Sequence, residues 1–113
     1  MKVLVCGGRN YQDERRVKQQ LGRLHKREPI TLIVQGGATG ADNLAFWWAI
    51  KEEIACVSEP MRSRTDGPAR NQRMLDKFSP DLIVAFPGGP GTRDMRERAK
   101  AQGFKLLEIK ANS

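Results

Sequence analysis

The chain has 113 residues, enough for one domain with a single core and hardly for two. Hydrophobic residues make up 39% and charged residues 29%, a globular balance rather than a disordered one. No apolar run approaches the roughly 20 residues of a membrane helix, and the apolar start Met1–Cys6 is too short for a signal peptide and runs into Gly7. Two cysteines make no disulfide framework, and no Cys/His set has metal-ligand spacing. The expectation is a cytoplasmic protein with no membrane association, no metal and no resident cofactor. Lys and Arg number 20 against 13 Asp and Glu, for a net charge of +7. Such a surface favours anionic partners such as nucleotides, phosphates or nucleic acid.

In chain order, Val3–Cys6 is a continuous apolar run stopped by Gly7 and Gly8, which reads as a strand buried on both faces. Asp13 and Glu14 open a helix whose Val17, Leu21 and Leu24 share one face. Pro29 ends it, and residues 30–34 form a second strand closed by Gly36 and Gly37. His25, the only histidine, lies near the helix end and reads as a solvated cap. The second helix starts near Thr39 or Gly40, with Ala41, Leu44, Ala45 and Trp48 as its core stripe. Phe46, Trp47 and Ile50 lie on its other faces, so a second apolar surface is expected, best explained by a homodimer or larger homo-oligomer.

Residues 54–57 are a weaker third strand, followed by a polar loop over 59–67. Pro68 suits the first position of a third helix carrying Met74, Leu75 and Phe78 inward, broken at Ser79 and Pro80. Residues 81–86 hold the fourth strand and 87–91 a tight Gly/Pro loop, with Thr92 placed to cap a fourth helix ending near Gly103. Residues 104–109 form the last strand, and 110–113 a short tail. Alternation of this kind predicts one α/β domain over 1–113. It should be a Rossmann-like, doubly wound, five-stranded parallel sheet with helices on both faces.

Three of the four strand-to-helix turns are glycine-rich, and all lie at carboxyl ends of strands, the edge where open α/β sheets bind ligands. If the first and fourth strands are neighbours, Gly7, Gly8, Arg9, Gly36, Gly37, Thr39, Gly40, Asp42, Pro87, Gly88, Gly89, Gly91 and Thr92 converge on one cleft. Glycines let backbone N–H groups approach an anion, and each loop feeds a helix N-terminus that attracts phosphate. Neither the G-x-G-x-x-G fingerprint nor a P-loop is present. Arg70, Asn71 and Arg73 open the third helix and suit a phosphate or carboxylate. Asp42 has two readings: Thr39-Gly40-Ala41-Asp42 has capping-box spacing, and the same carboxylate could contact a ribose or base. Cys6 and Cys56 fall on buried strands and read as inert. With one histidine and no partner for it, a nucleophilic triad lacks its base.

In order, Val5–Arg9, Gly36–Asp42, Gly67–Met74 and Ala85–Thr92 resemble the YspA-like branch of the SLOG superfamily, which also contains the DprA (Smf) and Lonely Guy (LOG) proteins. The resemblance covers nearly the whole chain and implies a Rossmann-like fold that binds nucleotides or their derivatives. In LOG enzymes that fold hydrolyses the N-glycosidic bond of cytokinin nucleoside monophosphates, with the signature P-G-G-x-G-T-x-x-E and an upstream Arg-Lys pair. Here Pro87–Thr92 and Arg70 match, Asn71 replaces the lysine, and Met95 stands at the glutamate position, one residue after Asp94. A carboxylate near an oxocarbenium-like transition state stabilises it or positions water, and methionine does neither. The phosphate cradle therefore carries over better than the catalytic centre.

The leading expectation is a nucleotide-binding sensor or sequestering module. The alternative is a phosphoribohydrolase-like enzyme, with Arg70 as electrostatic clamp and Asp94 or Asp42 as the carboxylate. A third is DprA-like nucleic-acid binding, ranked last because few aromatics are available to stack on bases.

Overall fold

The computed structural model describes residues 1–111. Five strands alternate with four helices: β1 (Lys2–Cys6), α1 (Glu14–Arg27), β2 (Leu32–Gln35), α2 (Ala41–Lys51), β3 (Ala55–Ser58), α3 (Gly67–Phe78), β4 (Leu82–Ala85), α4 (Pro90–Ala101) and β5 (Leu106–Glu108). The sheet is wholly parallel, in the order β3-β2-β1-β4-β5. After β3 the chain crosses back to lay β4 on the free side of β1, so the strand order reverses between β1 and β4. That is the switch point of a doubly wound sheet.

Side chains alternate across each strand, and β1 divides the core accordingly. Val3 and Val5 face α1 and α2, packing with Val17, Leu21, Ala45 and Trp48. Leu4 and Cys6 face α3 and α4, packing with Met74, Leu75, Met95 and Ala99. All four β1 residues from Val3 to Cys6 are buried, as a strand covered on both faces requires.

Several local expectations need correction. Thr92 does not cap α4: the helix begins two residues earlier at Pro90, with Gly89 at the cap position, and Thr92 is buried in the first turn. Nor do Thr39 and Asp42 form a capping box. Gly40 is the cap residue and has no side-chain bond, while the Thr39 hydroxyl donates to the Arg9 carbonyl across the cleft. Pro68 falls one residue inside α3, which starts at Gly67. His25 is not a solvated cap; its Nδ1 accepts the Ile30 amide at 2.9 Å and its ring meets Trp48 edge-on, joining α1 to the start of β2. β2 and β5 are shorter than their apolar runs, because Ile30 and Ile109 are buried beyond the strand ends. The last two residues of the expected tail lie outside the described residues.

Gly22 sits mid-way along α1, where a Cβ would meet no heavy atom within 4 Å. Glycine there carries its full backbone-entropy cost with no steric reason for it. Gly22→Ala is expected to stabilise the fold by roughly 0.5–1 kcal/mol, read as a higher denaturant midpoint at unchanged slope.

Candidate ligand site at the sheet switch point

One cavity of about 810 Å³ opens at the carboxyl edge of the sheet. It is lined from the β1–α1, β2–α2, β3–α3 and β4–α4 connections, so every strand-to-helix turn contributes. The β1–β4 pairing draws the first and last of these together. Beyond the register Cys6–Ala85, the Phe86 amide donates to Cys6 and the Gly8 amide to Pro87, each at 2.9 Å.

Two glycines make this closeness possible. A Cβ on Gly7 would lie 2.5 Å from the Ala41 Cβ and 3.0 Å from the Phe86 Cβ. Gly40 has φ +75°, and a Cβ there would strike the Gly8 carbonyl oxygen. The Ala41 amide donates to that same oxygen at 3.2 Å, seating the start of α2 against the β1 loop.

Asp42 lines the cavity and is 6% exposed. Its Oδ2 accepts the Gly36 and Ala38 amides at 3.1 and 3.2 Å and so folds the β2–α2 turn. Burial is the dominant influence and pushes this carboxyl up to about 6, against the opposing pull of the two amides and of Arg70 and Arg9. Next to it, Arg70 Nη1 donates to the Gly36 carbonyl at 2.9 Å, and Arg70 Nε donates to Asn71 Oδ1 at 3.1 Å. The guanidinium is thus held on two of its three nitrogens at the cavity wall.

Asn71 is buried and works in both directions. Its Nδ2 donates to the Gly91 carbonyl at 3.1 Å and to Asp94 Oδ2 at 3.0 Å, tying α3 to the first turn of α4. Arg98 Nε donates to the same Asp94 oxygen at 2.7 Å. Burial alone would lift the Asp94 carboxyl, but the bonds from Arg98 and Asn71 outweigh it and hold it below the ordinary carboxylate range. Met95 is wholly buried against Leu4, Met74 and Ala99, so position 95 faces the sheet and position 94 faces the cavity.

The glycine-rich loop over residues 87–91 is open. Cβ atoms at Gly89 and Gly91 would meet nothing within 4 Å, and no side chain caps α4. The first helical bond runs from the Arg93 amide to the Gly89 carbonyl. The Gly91 and Thr92 amides precede that bond and have no intrahelical partner.

Of the sequence candidates, Gly7, Gly8, Arg9, Gly36, Asp42, Arg70, Asn71, Pro87, Gly88, Gly89, Gly91, Thr92 and Asp94 line the cavity. Gly37, Thr39, Gly40 and Arg73 do not. Arg73 turns instead to acids: it donates to Asp66 at 3.0 and 2.7 Å and to Glu59 at 3.3 Å. Hydrogen bonding from Arg73 holds Asp66 well below its usual range, and Lys77, then Arg73, does the same for Glu59. This network fastens the 59–66 segment to α3, which carries Met61, Arg64 and Thr65 to the cavity rim. Sequence reasoning missed those three; the arginines at 62 and 64, just ahead of a cavity-facing helix start, were the available signal. Tyr11 was missed too. It lines the cavity, packs on Phe86 with ring centroids 5.4 Å apart, and has a buried hydroxyl with no hydrogen-bond partner among the described residues. Burial pushes the Cys6 thiol up to about 12, leaving it un-ionised and unreactive at neutral pH. Among the described residues, no group of three or more His, Cys, Asp or Glu is placed to hold a metal, and no helix is long and apolar enough to cross a membrane.

Residues 1–64 match the family described as YspA, cpYpsA-related SLOG. The chain belongs to that family. A curated relative, the Gene 61 protein of Mycobacterium phage D29, is 33% identical over 120 residues, covering 96% of this chain and 95% of the relative. Among solved structures, DNA processing protein A (DprA) from Streptococcus pneumoniae superposes with a TM-score of 0.80 at 17% identity. The match covers 98% of this chain and 50% of DprA, so the chain spans half the length of that protein. At that identity the likeness speaks for the fold, a Rossmann-like α/β domain.

A carboxyl whose pKa is raised keeps its proton in the native state over a range where the unfolded chain has lost it. The contribution of Asp42 to stability is therefore largest below about pH 4, falls as the pH climbs to about 6, and is a constant cost above that. Asp42→Asn keeps an oxygen for both amides and removes the charge. Subtracting its unfolding free energy from that of the wild type across pH 4–8 should give a difference that declines by about 2–3 kcal/mol between pH 4 and pH 7 and is level above that. A difference that stays flat with pH would refute this account of Asp42.

Proposed function

We propose that the switch-point cavity binds a nucleotide or nucleotide-derived ligand, with a phosphate at the start of α4. The observation that carries this reading is the uncapped first turn of α4 at the cavity wall, over which Gly89 and Gly91 place no side chain. Free N–H groups and the helix dipole together favour a phosphate. Arg70, anchored by Gly36 and Asn71, supplies a fixed positive charge across the cavity. A volume of about 810 Å³ is within the range of small-molecule sites and leaves room for base and sugar beside the phosphate. Family membership supports a nucleotide- or nucleic-acid-related role; the role we propose within it is that of a sensor or sequestering module.

A second reading, hydrolysis of a nucleotide N-glycosidic bond, is favoured by one observation. Asp94 is the carboxylate that α4 turns to the cavity, and it is held ionised by Arg98 and Asn71. An ionised carboxylate suits stabilisation of an oxocarbenium-like transition state and does not suit donation of a proton.

One experiment tests both. The protein is screened against a nucleotide panel by thermal shift, and ligands are recovered and weighed by mass spectrometry. A ligand at a hundred times its Kd should add about 2.7 kcal/mol, a rise of roughly 10–20 °C for a domain of this size. Gly91→Glu should fold, since its side chain enters open space, and should lose that shift, because the carboxylate occupies the anion position. Intact ligand supports the binding module; free base with a ribose phosphate supports the hydrolase. No shift with any member of the panel overturns both.

Self-association through α2 is the third part of the proposal. Trp47 and Ile50 are 59% and 52% exposed, the large hydrophobic side chains left outside the core. Phe46 packs edge-on against Trp47 with centroids 5.1 Å apart, making one stiff apolar ridge. A second copy presenting the same ridge would cover it by two-fold symmetry. Light scattering at micromolar concentration should give twice the monomer mass, falling to the monomer mass for Trp47→Glu. A monomeric wild type would contradict this.

A further inference from the structure

The positive charge of this protein is not spread over its surface. α1 carries six Lys and Arg against the single Glu14, a net +5 out of the chain's +7, within 14 residues. Its apolar residues Val17 and Leu21 are buried, so the helix shows solvent a polar, basic side. Arg15, Lys18, Arg23 and Lys26 are exposed there. Lys18 pairs with Glu14 at 3.1 Å, whereas Arg15, Arg23 and Lys26 make no ion pair among the described residues. Elsewhere on the chain Arg73, Lys77, Arg93, Arg96, Arg98 and Lys100 have carboxylate partners, and the cations without one among the described residues (Lys2, Arg9, Lys51, Arg62, Arg64, Arg70, Lys105 and Lys110) are divided among several elements and loops rather than set along one helix.

Eleven residues of helix separate Arg15 from Lys26, a track of about 16 Å. Gly22 lies within it, and a Cβ there would touch nothing, so the middle of the track has no side chain to keep a partner away from the helix. We infer that the outer face of α1 is a docking surface for the phosphate backbone of duplex nucleic acid. Uncompensated cations on a rigid helix neutralise phosphates and release their counterions. The face has no apolar side chain to insert into a lipid boundary, which an interfacial helix needs. It has no aromatic to stack on unpaired bases, which a single-strand groove needs. A regular double-stranded backbone is the polyanion left. This surface is separate from the cavity and does not depend on its reading.

The test is fluorescence anisotropy with a labelled 25-base-pair DNA duplex of arbitrary sequence between 50 and 200 mM NaCl. Four phosphate contacts give a log–log salt slope of about −3.6, a loss of about 150-fold in affinity over that range. R15Q/R23Q/K26Q should flatten the slope to about −1 and leave any nucleotide-induced thermal shift intact. K100Q/K105Q/K110Q removes the same charge from another face and should keep the steep slope. Gly22→Glu, whose side chain enters open space, is the second probe and should weaken duplex binding about tenfold at 50 mM even if the triple variant folds poorly. Gly91→Glu should bind the duplex like the wild type, which separates this surface from the cavity. The inference fails if no duplex binding is seen at 50 mM salt, if the salt response is flat, or if both triple variants lose affinity equally. It fails equally if phosphatidylserine vesicles retain the protein while the duplex does not.

Discussion

The hydrogen bond from the Gly8 amide to the Pro87 carbonyl continues the β1–β4 ladder after both strands have turned toward helices. The organisation of the cavity depends on that continuation. It lays the first glycine loop on the last one, although nearly 80 residues of chain lie between them. Once they are adjacent, the start of α2 has one place to go, against the Gly8 carbonyl, and only a residue without a Cβ fits at Gly7 and Gly40. The cleft is a product of strand order first and of side chains second, which is the general logic of ligand sites in doubly wound sheets.

Around that frame a single polar chain crosses from one side of the cavity to the other. It runs from Asp42 through Gly36 to Arg70, then Asn71, then Gly91 and Asp94, and reaches Arg98, which passes it on to Gln72. Asn71 is the middle link. An amide can accept from a guanidinium on one side and donate to a carboxylate on the other; a lysine ammonium cannot accept at all. The asparagine therefore fits a site whose carboxylate comes from position 94. Met95, one residue on, serves the core instead, and the two positions differ by the 100° that separates successive residues of a helix.

Much of this was legible in the sequence, for identifiable reasons. Continuous apolar runs mark strands buried on both faces, and β1, β2 and β4 are of that kind. Strand ends fall elsewhere than the apolar runs suggest where burial outlasts pairing, as at Ile30 before β2 and Ile109 after β5. Glycine loops announced the edge that holds the cavity. What stayed hidden was decided by partners distant in sequence. Arg70 and Arg73 look equivalent on one helix, yet Gly36 and Asn71 hold the first in the cavity wall, while Asp66 and Glu59 take the second away. Thr39 and Asp42 have the spacing of a cap, but Arg9 and the Gly36 and Ala38 amides offer better bonds. The 59–66 segment, polar and without periodicity, gave no sign that an ion-pair network would carry it to the rim.

The buried carboxyl of Asp42 sits in the wall of a cavity otherwise rich in positive charge and free amides. Near pH 6 it is about half protonated. An anion entering beside it disfavours the charged form further, so such an anion would draw a proton in from solvent as it settles. Uptake of ligand and uptake of hydrogen ion then become one thermodynamic event. The heat of that event would change with the ionisation enthalpy of the buffer, and acidification would tighten retention while alkaline conditions would loosen it.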